Sequence, residues 1–362
     1  MKIGIVGLPQ SGKTTLFRAL TRGTVNTEDY PGGGGRAHVG VVSVPDRRVD
    51  MLAAEHKPKK VTYAAIEFID GAARVSHEGS RARFGSDFFA DVRQVDALVH
   101  VIRGFEGPAG EPVAPARDAR TLADELVIAD LQLVENRMER LEKQLHGVRK
   151  GATTPATIEM SLLERIKSRL EQGRGLSDIE LSPDEAKSVR GYDFLTLKPM
   201  IAVLNVAESD LGSPGAAASE FHAWREQSGV PALELCAEIE MEVAELPDDE
   251  GAQFLRSMGI EEPARDVLIR ECYRALGLIS FFTASESEVK AWTLRQGEHA
   301  IDAAAAIHSD IARGFIRVEV ADVSDIAAPG GWDSAKQKGR IELHGKEYVV
   351  KDGDVLHVRF KV

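Results

Sequence analysis

Residues Gly7-Leu8-Pro9-Gln10-Ser11-Gly12-Lys13-Thr14 fit the pattern G-x-x-x-x-G-K-[ST]. Ahead of them, Ile3-Gly4-Ile5-Val6 reads as a buried strand; behind them, Leu16, Phe17 and Leu20 share one helical face. Glycines let backbone N–H groups curl around an anion without interference from Cβ atoms, and a helix N-terminus adds the positive end of its dipole. A nucleoside polyphosphate is the ligand this order of strand, loop and helix suits. Gln10, Ser11, Gly12, Lys13, Thr14 and Thr15 are the phosphate-side candidates. Lys13 would reach the β- and γ-phosphates, and the Thr14 hydroxyl would hold Mg2+. Asp70 ends the apolar run Ile66-Glu67-Phe68-Ile69, where a second Mg2+-side carboxylate belongs; a turn-forming Asp is the plainer alternative. Lys13 and Asp70 are therefore the candidate catalytic pair, with Thr14 and Asp70 toward the metal.

Further apolar runs at 65–69, 97–102, 201–204 and 232–235 alternate with helical patterns, the signature of an α/β fold with a parallel sheet. Asn205-Val206-Ala207-Glu208 follows one of these strands. A guanine-reading Asn-Lys-x-Asp uses its carboxylate to accept two hydrogen bonds from the base. Glu208 is one methylene too long for that fork, adenine offers no such pair of donors, and Val206 lacks the lysine stem that flanks a base. The segment favours adenine or relaxed specificity over strict guanine, with a helix cap as the plain structural reading.

Two regions depart from the strand–helix rhythm. Val127, Leu131, Val134, Met138, Leu141 and Leu145 recur at alternating steps of four and three, and Leu163, Ile166 and Leu170 form a second seam after breaks at Gly147, Gly151 and Pro155. A helical hairpin inserted at 121–195 is expected, either as a spacer or as a partner-binding arm. Its cations Arg137, Arg140, Lys143, Arg149, Lys150, Arg165, Lys167 and Arg169 would contact nucleic-acid phosphates if one face gathers them; interleaved glutamates make a solvated face the alternative. After Leu278 short strands (Phe315 to Val320, Tyr348 to Val350, Val355 to Phe360) surround an alanine-rich helix near 299–312, and Asp352-Gly353 marks a tight turn. The expected domains are 1–120 with 196–277, the hairpin 121–195, and an α+β module 278–362.

Composition narrows the class. The 362 residues carry a net charge of −12, which disfavours non-specific binding to DNA or to an anionic membrane. Cys236 and Cys272 match neither a zinc spacing nor a disulfide framework, and no run approaches the length of a membrane span. With no signal-peptide pattern at Met1-Lys2-Ile3, a cytoplasmic location is expected. No second-substrate lid or acceptor motif supports a metabolic kinase.

Taken together these motifs resemble the Obg-like ATPases of the YchF type, translation-factor-class P-loop NTPases. The resemblance runs nearly end to end, through Gly7 to Lys13, Val39-Gly40-Val41-Val42-Ser43-Val44-Pro45-Asp46 and Asn205 to Glu208. It continues through Cys236-Ala237-Glu238-Ile239-Glu240, which matches the family's base-contacting loop and makes Cys236 and Ala237 nucleotide-binding candidates. Phe282-Thr283-Ala284, Ala291-Trp292-Thr293, Ile307-His308-Ser309-Asp310, Gly314-Phe315-Ile316-Arg317 and Asp352-Gly353-Asp354-Val355 resemble the family's TGS (β-grasp) module. The resemblance implies a P-loop parallel sheet with an inserted hairpin and a C-terminal β-grasp domain. It also implies ATP preferred over GTP, Mg2+-dependent hydrolysis, and ribosome contact with rRNA or ribosomal protein through hairpin and TGS-like module.

The chain departs from that family where the γ-phosphate is sensed. Tyr30-Pro31-Gly32-Gly33-Gly34-Gly35-Arg36-Ala37-His38 replaces Y-P-F-C-T-I-E-P-N, so Gly34 stands in place of the Mg2+-sensing threonine. Asp70-Gly71-Ala72-Ala73 replaces D-x-x-G, and His77, Arg81 and Arg83 replace switch II glycines. A histidine that the family carries shortly after the segment matching His100 to Glu106 has no counterpart around Gly107-Pro108-Ala109-Gly110. Gln10 replaces an asparagine linked to potassium. Slow hydrolysis is the expectation, with Arg36, Arg74, Arg81 or Arg83 as arginine-finger candidates or plain surface residues. The alternatives are a hydrolysis-deficient nucleotide-sensing scaffold and a GTPase of relaxed base specificity.

Overall fold

The computed structural model describes residues 1–25, 38–70, 75–78, 81–107, 110–146, 153–212 and 215–361. The expectations for Tyr30 to Ala37, for Gly71 to Arg74, and for Arg149 and Lys150 fall outside these residues. The chain begins β1 (Lys2–Val6), α1 (Lys13–Leu20), β2 (His38–Ser43), α2 (Arg47–His56), β3 (Lys60–Thr62), β4 (Ala65–Asp70). It continues β5 (Val75–Glu78), β6 (Arg81–Phe84), α3 (Ser86–Arg93), β7 (Ala97–Arg103), α4 (Pro115–Leu145), α5 (Pro155–Glu171), α6 (Pro183–Val189). Then come β8 (Met200–Asn205), α7 (Ala216–Ser228), β9 (Ala232–Leu235), α8 (Ala237–Glu245), α9 (Asp248–Ser257), α10 (Ala264–Ala275). The last elements used below are β10 (Leu278–Ala284), β11 (Glu288–Arg295), α11 (Ala300–Ile307), α12 (Ser309–Arg313), β12 (Phe315–Asp322), β13 (Glu342–His344) and β14 (Asp354–Phe360).

One six-stranded sheet has the order β2-β4-β1-β7-β8-β9, and every pair from β4 to β9 is parallel. The four apolar runs named from the sequence are four of its strands. β7 is buried along its whole length, as a central parallel strand covered on both faces must be. β1 lies between β4 and β7, where strand order reverses, so the loop at its carboxyl end opens into the crevice in which such sheets bind ligands.

α4 is one uninterrupted helix of 31 residues, about 46 Å long. Ala116 and Ala119 pack in a core of the sheet, Leu122 and Leu126 in a second, and Val127, Val134 and Leu141 against Leu163, Ile166 and Leu170 of α5. The heptad seams are therefore the core of the hairpin, while its first helix is also a layer on the first sheet.

The second six-stranded sheet has the order β13-β12-β14-β10-β11-β3. β10–β11 and β12–β14 are antiparallel, β10 and β14 are parallel, and α11 packs Ala300 and Ala303 onto one face beside Phe281, Leu294, Val318 and Leu356, a β-grasp arrangement. Two details differ from the sequence expectation. The helix near 299–312 breaks at His308, whose extended backbone and ring nitrogen, accepting from the Asp310 N–H at 3.1 Å, start α12 afresh. Tyr348 to Val350 is not a strand: it contributes one bridge, Val349 to His299, and the edge strand is β13.

The chain gathers into two compact units, 1–40 with 67–264 and 41–66 with 265–362. The sequence boundaries do not anticipate this division. The hairpin stays with the sheet because α4 is continuous. Residues 41–66 go with the C-terminal module because β3 pairs in parallel with β11. Arg48 also bridges Asp46 and Asp352 (2.8 and 2.7 Å), and Glu55 accepts from the Gly330 N–H at 2.8 Å. No helix among the described residues is long and apolar enough to cross a membrane.

Candidate functional site

The loop from Gly7 to Lys13 is shaped by two glycines that nothing else could replace. Gly7 has φ 150°, and a Cβ there would lie 2.2 Å from the Val101 carbonyl oxygen. Gly12 has φ 89°, and a Cβ would lie 2.1 Å from Asn205 Nδ2. Gln10 between them takes φ 61°, a left-handed conformation that asparagine tolerates better than glutamine. This gives a backbone reason for the asparagine that the family resemblance places there.

α1 starts at this loop with no side-chain cap and no acidic residue in its first turn, so its N-terminal N–H groups carry no internal anion. The Ser11 hydroxyl is buried without a hydrogen-bond partner among the described residues. Lys13 Nζ donates to the Leu8 carbonyl at 2.7 Å. Burial lowers its pKa to about 8, against which the Asp70 charge pulls upward. Asp70, 5% exposed at the end of β4, is thus within electrostatic reach of Lys13. Uncapped amides, an orphaned hydroxyl and a desolvated ammonium fit a bound polyphosphate, which supplies the missing acceptors. Thr14 is exposed and Thr15 half-buried. No group of three or more His, Cys, Asp or Glu among the described residues could hold a metal. The hard oxygens of Thr14 and Asp70 suit Mg2+, an ion that takes most of its ligands from phosphate and water.

Asn205 ties the two sides of the site together. Its Nδ2 donates to the Ser11 carbonyl at 3.0 Å and its Oδ1 accepts from the Ala237 N–H at 2.9 Å. One side chain at the end of β8 therefore fixes both the phosphate loop and the start of α8. The sequence reading gave Asn205 a place at the base and missed this bridge; its signal is a polar residue ending a buried strand opposite a glycine loop.

Val206 and Cys236 are site candidates through their backbone, not through their side chains. Both side chains are buried (4% and 2% exposed) and pack in the sheet core with Leu204, Phe221 and Ile239. The Val206 N–H donates to the Leu235 carbonyl at 2.9 Å, and burial pushes the Cys236 thiol up. Ala237 is also buried, and its N–H is taken by Asn205. Of the base-side candidates, Glu208 is exposed, on a short 3-10 turn after β8. His100, beside Val6 in register and 2% exposed, has its pKa lowered to about 3 by burial and by Lys13, so it stays neutral at physiological pH.

Comparison with known proteins gives this site its family. A profile described as "50S ribosome-binding GTPase" matches residues 2–145, and the YchF-GTPase C-terminal profile, described as "Protein of unknown function (DUF933)", matches 278–361. The chain is 40% identical over 366 residues to the ribosome-binding ATPase YchF of Pasteurella multocida, covering 100% of this chain and 99% of that protein. The chain belongs to the YchF family. The YchF protein of Bacillus subtilis is 38% identical, with 99% of each chain covered. Obg-like ATPase 1 of Oryza sativa subsp. japonica is 32% identical over 100% of this chain and 92% of its own. The structure of the Schizosaccharomyces pombe YchF GTPase matches with a TM-score of 0.86 at 29% identity, over 99% of this chain and 97% of that one. Membership in the YchF family covers both units, so the β-grasp module and the nucleotide-binding sheet share one family assignment.

Proposed function

We propose that this chain is a purine-nucleotide switch that prefers ATP to GTP, hydrolyses it slowly with Mg2+, and associates with ribosomes in the cytoplasm. The observation that carries the reading is the phosphate loop, where two glycines at positive φ, the uncapped amides of α1, a Ser11 hydroxyl with no partner among the described residues and a desolvated Lys13 ammonium converge. In this reading Lys13 binds the β- and γ-phosphates, Thr14 and Asp70 hold Mg2+, and Asn205 keeps the loop in register with α8. Mg2+ held by Thr14 and Asp70 would supply positive charge against the phosphates. Exposed Glu208 supports adenine, because its extra methylene displaces the carboxylate from the guanine fork.

Calorimetry with ATP and GTP, with and without Mg2+, tests base choice and metal dependence together. Tighter ATP binding supports the reading, and GTP competing at equal or lower concentration overturns the preference. Phosphate release faster than roughly 1 per second without a partner contradicts slow hydrolysis. Gly34 in place of the metal-sensing threonine favours a second reading, a sensing scaffold that binds but does not hydrolyse; a residual ATPase unaltered by Lys13→Ala would support it.

Ribosome association comes from the names of the relatives, and the hairpin and C-terminal module are the surfaces proposed for it. On the hairpin Arg137, Lys143, Arg165, Lys167 and Arg169 are paired with Glu159, Glu139, Glu185, Glu135 and Asp178. Binding through this arm should therefore depend only weakly on salt, with a log–log slope of about −2 or shallower. Co-sedimentation with ribosomal subunits across a salt series checks this, and no binding at low salt with either nucleotide removes it.

A further inference from the structure

α3 is the first helix after Asp70, and it sits between the phosphate site and the hairpin. Phe88 and Val92 of α3 pack in one buried cluster with Val6, the residue before the phosphate loop, and with Leu122 and Leu126 of α4. The last residue of α3 reaches the hairpin. Arg93 Nη1 donates to the Asp193 carbonyl at 3.0 Å and lies 3.5 Å from Asp130 Oδ1, while Nη2 donates to the Ala129 carbonyl at 3.4 Å.

Asp130 is 0% exposed, at the point where α4 leaves the sheet. Its oxygens accept from the Leu195 N–H at 2.9 Å, the Thr196 N–H at 2.8 Å and the Thr196 hydroxyl at 2.9 Å, all on the 3-10 turn of the returning segment. From the other side Lys198 Nζ donates to the Arg93 carbonyl at 3.1 Å and the Val95 carbonyl at 2.6 Å. The end of α3 is thus held by the outgoing helix and by the returning segment at once. A carboxylate costs free energy to bury, and here it is placed where three donors and a guanidinium converge.

We infer that Asp130, Arg93 and Lys198 form a lock through which α3 sets the angle of the hairpin, making the hairpin a lever that answers the phosphate site. The inference rests on the nucleotide-switch reading above. Packed interfaces shift between discrete arrangements, and an uninterrupted helix carries a displacement of an ångström or two at its root out to its tip.

Double electron–electron resonance tests it, with labels at Glu164→Cys on α5 and Gln227→Cys on α7, both exposed positions; the native Cys236 and Cys272 are buried. Between nucleotide-free protein and protein with Mg2+ and a non-hydrolysable ATP analogue, the mean distance should shift by about 3 Å. Arg93→Ala with Lys198→Met should abolish the shift while leaving the analogue's affinity within about twofold. Asp130→Asn should behave alike; if that variant does not fold, the Arg93 and Lys198 changes carry the test. A shift that persists in the double variant overturns the lock. No shift in the unmodified protein, with calorimetry showing bound analogue, overturns the lever and leaves the nucleotide reading intact. No bound analogue removes that reading and the lever with it.

Discussion

In the phosphate loop a serine hydroxyl is buried without a partner among the described residues, a helix starts without a side-chain cap, and a desolvated ammonium has one carbonyl and the Asp70 charge nearby. In the hairpin Arg137 meets Glu159 at 2.8 Å, Lys167 meets Glu135 at 2.9 Å, and the buried Asp130 is met by two backbone N–H groups, the Thr196 hydroxyl and the Arg93 guanidinium. The same kinds of group are left open in one place and closed in the other. Polar groups that go unsatisfied at a cost in stability mark where a ligand completes the structure; groups that satisfy each other mark architecture.

The contrast is most exposed at Lys13. Lys13→Met should weaken ATP binding by at least 100-fold, a loss of about 3 kcal/mol expected of a charge-assisted contact. The nucleotide-free protein should melt no lower than the parent, because a buried ammonium has gone; calorimetry and thermal melts read the two effects separately. Asp130→Ala should do the reverse. Stranding the Leu195 and Thr196 N–H groups should cost about 2–4 kcal/mol in denaturant unfolding, with nucleotide affinity in the surviving fold changed less than about threefold.

The Lys13 pKa of about 8 sharpens the comparison further. The cation binds phosphate, so affinity should fall as pH rises through 8, by about tenfold between pH 7 and 9 in titration calorimetry. Over about pH 8 to 10.4 the unfolded chain holds this proton and the folded site does not, so this group's contribution to folding stability rises with pH. The smallest effect belongs to the hairpin: a double-mutant cycle on Arg137 and Glu159 should give about 0.5–1 kcal/mol of coupling and leave ATP binding untouched.

Fold class was legible because its signals are periodic. Strand, glycine loop and helix at 3–20, the heptad at 127–145 and the Asp352-Gly353 turn each state their geometry within a few residues. The pairing of β3 with β11 was not legible, because three residues of strand find their partner far along the chain and no local pattern announces it. At the site, the phosphate loop could be read from its glycines. Val206 and Cys236 were read as base-side candidates from motif position, which does not disclose that their side chains pack in the apolar core. The roles of Asn205 and Asp130 are three-dimensional: each joins segments of chain that only the folded sheet brings together.

The excursion through residues 41–66 has a consequence for how this chain is made. It is synthesised early, yet its strand at 60–62 pairs with residues 288–290 and Arg48 with Asp352. At roughly 5–20 residues per second, translation leaves that strand waiting on the order of ten seconds or more for its partner to emerge. A fragment cut at 278, where the C-terminal family profile begins, would lack the edge strand and the helix bearing Arg48. The first sheet would likewise be finished before the stretch running out of it has anywhere to go, an interval during which a chaperone or the ribosome surface itself has something to hold.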